Sequence, residues 1–353
     1  MNLAVTFYKL AASAKNILVR APNWLGDLVM SLGFFYKLRH AFPDATIEVI
    51  AKAEIADLLE LVPQLSRVHP FSKKTYRGLA GLYRFASRFA EVDLYFSLPD
   101  SFSSAAMGFF ARAKRRIGFR GDWRNLLLTD ALHKPKHLHR SEEYALLLSA
   151  FLTEPTTALS VQLTPPPDTL LTAFASRSKI VLNLNSESPS KVVPLRKGVE
   201  IAEGLLRCVP DAMLVLTGSP KERQYAETFT TMLSEPKRVI NLAGKTTVKM
   251  LAGVLAAVHV VISTDSGTAH LANAVGTPTL VLYGAGDERN TSPYHRENSF
   301  GFRVQGLDCA PCISTTCKFG EPKCLAQMPS ADIVQKAVSL LQTLGVTARA
   351  FRS

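Results

Sequence analysis

Three consecutive prolines at positions 165–167 constrain the fold of this chain more than any other feature. Proline fixes φ and has no N–H to donate, so such a run belongs neither inside a helix nor in a central strand. It sits in a stretch rich in Thr, Ser and Pro, "TEPTTALSVQLTPPPDTLLTAFASRS", and the texture differs on both sides of it. Upstream, "NILVRA", "DATIEVIAK", "DLYFSLPD" and "RRIGF" read as strands, while "LVMSLGFFYKLRHAF" sets Leu28, Leu32 and Phe35 at the i, i+4, i+7 spacing of one helix face. Downstream, the strand patterns "KIVLNLN", "DAMLVLTGS", "RVINLAG", "HVVIST" and "PTLVLYG" alternate with the helical patterns "RKGVEIAEGLLRCV", "KERQYAETFTTMLS", "TVKMLAGVLAAV" and "TAHLANAVG". Strand–helix–strand alternation predicts parallel sheets covered by helices. With 353 residues, one core is too few. The expectation is an α/β protein of two doubly wound, Rossmann-like domains: residues 1–164, a linker over 165–178, and residues 179–353, the last helix free to pack back on the first domain. Ligands of such sheets bind outside the carboxyl ends of the strands, and the cleft between the domains is the expected site.

The formal net charge of +12 calls for an anionic partner: nucleic acid, an acidic membrane surface or a phosphorylated substrate. The densest basic cluster is Arg112, Lys114, Arg115, Arg116, Arg120 and Arg124, followed by Lys134, Lys136 and Arg140. It carries neither an aromatic stacking stripe nor zinc-finger spacing, so no nucleic-acid partner is expected. No apolar run approaches the roughly 20 residues that span a bilayer. The opening "MNLAVTFYKLAASAKN" has no basic segment before its apolar part, unlike a secretory signal. A packed or frayed extension is the preferred reading there, ahead of an amphipathic helix on a membrane. The cytoplasm is then the expected compartment, and disulfides among the five cysteines are not expected.

Three stretches carry chemistry. In "NILVRAPNWLGDLVMS", Asp27 follows Gly26 in the loop between a strand and a helix, where a carboxylate either supports the helix N-terminus or takes a proton from a ligand hydroxyl. Taken alone, the motif favours the helix role. In "VVISTDSGTAHLANAVG", a buried strand runs into Asp265-Ser266-Gly267, with a helix expected from about Thr268 and Gly276 as its terminating glycine. The N–H groups of Ser266, Gly267 and Thr268 converge there as a phosphate cradle, and Asp265 and His270 flank it, within reach of hydroxyls on whatever the phosphate bears. No G-x-G-x-x-G fingerprint occurs, which argues against a nicotinamide-dependent oxidoreductase or epimerase. In "LNLNSESPSKVVP", the loop after a strand carries Ser186 and Lys191, a cation placed to meet a pyrophosphate.

Together, "APNWLGDLVMS", "TDSGTAHLANAVGTPTLVLYG…TSPY" and "LDCAPCISTTCKFGEPKCL" resemble the ADP-heptose:lipopolysaccharide heptosyltransferases, glycosyltransferase family 9, nearest the heptosyltransferase II type. The resemblance spans roughly residues 16–341. It implies the GT-B fold, with acceptor bound by the N-terminal domain and sugar nucleotide by the C-terminal domain across a central cleft. It further implies an inverting transfer of heptose from ADP-heptose to the lipopolysaccharide inner core (Kdo/heptose-lipid A), at the cytoplasmic face of the inner membrane with peripheral contact to anionic lipid. By resemblance, Asp27 is the general base and Lys191 steadies the leaving ADP. Ser266, Gly267 and Thr268 hold the diphosphate, Asp265 and His270 the heptose, with Ser186 beside the donor, Glu222 near the ribose and Gly244 near the adenine. Lys73, Lys74, Arg120 and Arg124 are the implied contacts to acceptor phosphates and carboxylates. No cofactor is required. One departure is plain: where the family shows Lys-Arg-Trp-Pro, this chain reads Lys191-Val192-Val193-Pro194. A different sugar donor or acceptor within family 9, or a weakly active nucleotide-binding scaffold, are the rival readings.

Cys309, Cys312, Cys317 and Cys324 form a C-x₂-C-x₄-C-x₆-C series. Reduced thiols packing a loop are the preferred reading, and a structural tetrahedral zinc is the alternative. Cys208 falls on a helix pattern and reads as core.

Overall fold

The computed structural model describes residues 14–149, 151 and 159–348. The opening extension through residue 13 lies outside the described residues. The chain divides into two compact units between Val161 and Gln162.

The first unit holds six parallel strands: β1 (Asn16–Arg20), β2 (Thr46–Lys52), β3 (Arg67–Phe71), β4 (Leu94–Ser97), β5 (Arg115–Phe119) and β6 (Asp130–Leu132). Their order across the sheet is β3-β2-β1-β4-β5-β6. The second unit repeats the plan with β7 (Ser178–Asn183), β8 (Ala212–Leu216), β9 (Val239–Asn241), β10 (Val260–Thr264), β11 (Thr279–Leu282) and β12 (Ser299–Phe302), ordered β12-β11-β10-β7-β8-β9. Each unit is thus the doubly wound α/β sheet expected from the alternation.

The central strands are buried along their whole length because helices cover both faces. Every residue of β7, β8, β10 and β11 is buried. The helix Leu195–Cys208 sets Ile201, Ala202, Leu205 and Leu206 against that sheet. The last helix, Ser330–Thr343, spends Ile333, Val334, Ala337, Val338 and Leu341 in the same core.

Two local readings are revised. The helix expected to run through "LVMSLGFF" is two helices, Leu25–Met30 and Leu32–Ala41, because the Ser31 hydroxyl bonds back to the Leu28 carbonyl at 2.7 Å and loosens the ladder. The three prolines belong to the second unit. They cross the helix Val248–Ala256 at Gly253, where a Cβ would come within 2.8 Å of the Pro166 carbonyl oxygen. Just upstream, the Leu163 N–H donates to the Ala274 carbonyl at 2.9 Å.

The strand orders place one crevice in each unit. β1 pairs with β2 on one side and β4 on the other, and β7 likewise with β8 and β10. Where the order reverses, the loops leaving the two adjacent strands turn to opposite faces and open a gap at the carboxyl edge. Asp27 follows β1. Lys191 follows β7, and Asp265 follows β10.

Candidate functional site

The second unit's site is built mostly from its own loops. The Lys191 Nζ lies 2.7 Å from the Asp265 Oδ2 across the gap between the β7 and β10 loops. Asp265 is 5% exposed, so its carboxylate is held among neighbours. One of those neighbours is Gly286, where a Cβ would lie 1.8 Å from the Asp265 Oδ2; only a glycine fits there. Arg303 fixes that glycine's loop by donating to the Gly284 and Gly286 carbonyls and to Glu288. An ammonium has three protons to give, so Lys191 can keep Asp265 and still face a phosphate.

The helix Gly267–Ala274 starts one residue earlier than expected, and Gly276 ends the turn with φ +86°. Ser266 is its N-cap residue but makes no side-chain capping hydrogen bond, so its hydroxyl does not satisfy the first helical N–H groups, among them those of Gly267 and Thr268. The Ser266 hydroxyl is turned to Asn183 instead, accepting from its Nδ2 at 3.2 Å. Asn183 also accepts from the hydroxyls of Thr217, at 3.0 Å, and Thr268, at 3.2 Å, tying the ends of β7, β8 and β10 together. His270 is buried in the first turn of the helix.

The remaining donor-side residues fall on the same carboxyl edge. Ser186 accepts from the Ser188 N–H at 3.2 Å, which tightens the start of the Lys191 loop. The end of that loop is strapped to the cysteine-rich segment: the Ser188 hydroxyl and the Ser190 N–H both donate to the Thr315 carbonyl at 3.1 Å. Glu222 closes a capping box with Ser219, accepting its N–H at 2.6 Å, so one carboxylate oxygen is already at work in the turn. Gly244, at φ +70°, donates to the Gly218 carbonyl at 2.8 Å, and a Cβ there would strike Pro220. The turn with Glu222 and the turn with Gly244 are therefore in contact.

The first unit's site is built from residues far apart in the chain. Asp27 lies in the first turn of the helix Leu25–Met30. Its Oδ1 accepts from the Tyr144 hydroxyl at 3.2 Å and lies 3.7 Å from the Arg140 Nε. Burial, then the adjacent Asp27 charge, push the Tyr144 hydroxyl well above its ordinary value, so it remains a donor across the accessible pH range. Arg140 also donates to Glu143 at 2.7 Å; Glu143 faces Lys134 at 3.5 Å, and Lys134 pairs with Asp100 at 2.7 Å. Arg20, at the end of β1, bonds the carbonyls of Ala21 and Ile50 and the side chain of Asn23, fixing the turn before Asp27. Burial lowers the Arg20 pKa to about 10, which still leaves it charged at neutral pH. Sequence reasoning missed Arg20, Asn183 and Arg303; a polar residue closing an apolar strand was the available signal for the first two.

The basic acceptor candidates separate. Lys73 and Lys74 are exposed in the loop after β3. Arg120 is exposed and shares its guanidinium between the Ala131 carbonyl and His133, both at 3.0 Å. Arg124 corrects the expectation: it is 2% exposed, bonded to Asp100 at 3.2 Å and Ser97 at 3.0 Å. Burial lowers the Arg124 pKa and Asp100 opposes that shift, so the side chain fixes the β4 loop rather than meeting solvent.

Among the described residues, no group of three or more His, Cys, Asp or Glu side chains is arranged to hold a metal ion. Cys324 packs on Gly284, and burial, followed by the neighbouring Cys309, Cys317 and Cys312, pushes its thiol up. Cys208 is buried in the second core, as its helix pattern implied.

Residues 83–323 match the family described as glycosyltransferase family 9 (heptosyltransferase). The chain belongs to that family. The lipopolysaccharide heptosyltransferase 2 of Salmonella typhimurium is 29% identical over 297 residues, 78% of this chain and 85% of the relative. The lipooligosaccharide heptosyltransferase 2 of Haemophilus ducreyi is 28% identical over 312 residues, 80% of this chain and 86% of that protein. Among solved structures, the E. coli ADP-heptose lps heptosyltransferase II matches with a TM-score of 0.78 at 25% identity, over 94% of this chain and 99% of that one. A family 9 glycosyl transferase from Veillonella parvula shares the fold, with a TM-score of 0.81 at 19% identity, over 93% of this chain and 98% of that one. The chain is thus a family 9 glycosyltransferase with the α/β architecture of GT-B heptosyltransferases.

Proposed function

We propose that this chain transfers L-glycero-D-manno-heptose from ADP-heptose to the inner core of lipopolysaccharide, in the manner of a heptosyltransferase II, at the cytoplasmic face of the inner membrane. Family membership and the names of the relatives support the donor and acceptor class. The observation that carries the chemistry is the Lys191–Asp265 pair at 2.7 Å beside the helix N-terminus at Gly267.

In this reading the first unit supplies the base. Asp27 takes the proton from an acceptor hydroxyl, and the freed oxygen attacks the anomeric carbon of heptose from the face opposite ADP. The new C–O bond forms as the bond to the β-phosphate breaks, so configuration inverts. The second unit supplies the electrostatics: negative charge growing on the departing diphosphate meets the Lys191 ammonium and the N–H groups of Gly267 and Thr268. Asp265 accepts from heptose hydroxyls while it orients Lys191, and His270 reads the sugar from the helix's first turn. Ser186, Glu222 and Gly244 bound the nucleotide end. Lys73, Lys74 and Arg120 meet acceptor phosphates. The charge on the leaving group is covered by Lys191 and the helix N-terminus, and no cofactor enters the scheme.

The test is mass spectrometry of products from the purified chain, ADP-heptose and a panel of inner-core acceptors. A mass gain of one heptose on an inner-core acceptor is expected. ADP-heptose binding with no transfer to any acceptor in the panel would overturn the reading in favour of a nucleotide-binding scaffold.

A further inference from the structure

The cysteine-rich segment has no task in the proposed chemistry, yet it holds a backbone outlier. Ile313, between Cys312 and Cys317, has φ +52°, in the left-handed region. A β-branched residue rarely enters that region, because its Cβ crowds the backbone, and it persists there only where surrounding contacts over-determine it. Ile313 is also 75% exposed, so burial of its side chain does not account for the conformation. The contacts on each side of it are made by backbone. Its N–H donates to the Ala285 carbonyl at 2.8 Å, and the next two residues, Ser314 and Thr315, give their carbonyls to the loop that carries Lys191.

Ser190 meets both carbonyls. Its hydroxyl donates to Ser314 and its N–H donates to Thr315 at 3.1 Å. Ser190 is buried although Glu187 and Pro189, in the same loop, are exposed. A buried hydroxyl in an otherwise open loop is held for the hydrogen bond it makes. The Lys191 N–H closes the short turn Pro189–Lys191 on the Ser188 carbonyl at 2.9 Å, so whatever fixes Ser190 fixes the start of the Lys191 side chain. On the other side, Ala285 leads into Gly286, where a Cβ would lie 1.8 Å from the Asp265 Oδ2 and 3.5 Å from the Lys191 Nζ. Three consecutive residues thus join the loop that carries Lys191 to the loop that backs the Lys191–Asp265 pair. Beyond them, Cys324 and Leu325 pack on Gly284 and anchor the segment's far end.

We propose that residues 313–315 are a backbone clamp that positions Lys191 against Asp265, with Ser190 and the Ile313 peptide group as its two points of purchase. A lysine ammonium rides on a flexible four-carbon stem, so its place depends on how firmly the backbone below it is held. A released loop would let the ammonium leave the spot where charge grows on the departing diphosphate, and a misplacement of about 1 Å there can cost about 10²-fold in rate. The clamp touches neither donor nor acceptor; it acts through Lys191. The inference rests on the proposed function, in which Lys191 meets the leaving group.

The test uses variants of the full chain. Ile313→Pro removes the N–H that reaches Ala285 and forces φ to a negative value, at an exposed position away from the core. Its kcat should fall about 10- to 100-fold, with KM for ADP-heptose within about threefold of the parent. Ser190→Ala, which removes one bond of the strap, should lose about three- to tenfold in kcat. Ile313→Gly, the conservative variant for a positive φ, should rescue the rate that proline loses. Added to Lys191→Ala, the proline should cost less than about twofold more, because a clamp that acts through Lys191 then has nothing to position. Hydrogen exchange of the peptide 186–192, followed by mass spectrometry, should quicken in Ile313→Pro and keep the parental rate in Ile313→Gly. Parental kcat in Ile313→Pro, or a loss fully additive with that of Lys191→Ala, would overturn the inference. A parent that transfers no heptose would sink the proposed function alone; exchange in 186–192 would still decide the clamp, supporting it if quickened by the proline and overturning it if unchanged.

Discussion

Asp265 and Asp27 each lie just beyond a strand that flanks the reversal point of its own parallel sheet, Asp27 after β1 and Asp265 after β10, yet they are held in different ways. Asp265 is 5% exposed, pressed on Gly286 and paired with Lys191, and the groups around it come from loops on the same edge of its own sheet. The Asp27 side chain is 30% exposed and takes its partners from Tyr144 and Arg140, more than a hundred positions later in the chain. In the proposed function Asp265 binds sugar hydroxyls and orients Lys191, tasks that suit a rigid setting. A base has to admit a hydroxyl and release a proton, so it keeps one side open to the incoming ligand.

That contrast can be broken by substitution. The largest effect is expected at Lys191→Ala, where transfer should fall by about 10²–10³ because the growing charge on the diphosphate loses its nearest cation. Steady-state rates at saturating donor measure it, and a loss smaller than about threefold would show that the helix N-terminus suffices. Next is Gly286→Ala. The added methyl would meet the Asp265 carboxylate, drive it from Lys191 and cost about 1–3 kcal/mol of donor affinity, read by calorimetry with ADP. Unchanged affinity would mean that Asp265 has room to move.

A smaller, more diagnostic effect belongs to Tyr144→Phe. Tyr144 donates to the ionised Asp27, and a carboxylate that loses a donor is easier to protonate. The acid limb of kcat/KM should therefore move to higher pH, with the alkaline limb unmoved; Arg140, which also faces Asp27 and is itself held by Glu143, limits the shift. An unmoved acid limb would place the base elsewhere. The smallest effect is expected at Glu222→Ala, which removes one half of the Ser219 capping box. It should lower stability by about 0.5–2 kcal/mol in denaturant titration, with little change in donor affinity.

The same division between local and distant explains what could be read from the sequence. The apolar runs of β1, β7, β8, β10 and β11 announced themselves because central parallel strands are buried on both faces. β3, β6 and β12 escaped notice. Each is an edge strand, so its outward residues are half-exposed and its pattern is broken; β3 even carries Pro70, which only an edge tolerates. The grouping of Asp265, Ser266, Gly267, Thr268 and His270 was legible because they are nearly contiguous, and contiguity at a strand–helix junction sets them together. The setting of Asp27 was not legible, since nothing in "PNWLGD" foretells that Tyr144 and Arg140 will arrive from a helix after β6. Arg124 misled for a related reason: charge in a sequence suggests a surface, while Asp100 and Ser97, distant in the chain, supply the partners that let it go inside.

The central claim is that Asp27 removes the acceptor proton, and transfer by Asp27→Ala, measured beside its ADP-heptose affinity, tests it most directly. The account predicts kcat/KM reduced by about 10²–10⁴ with donor affinity within about threefold of the parent. Transfer at the parental rate would contradict it.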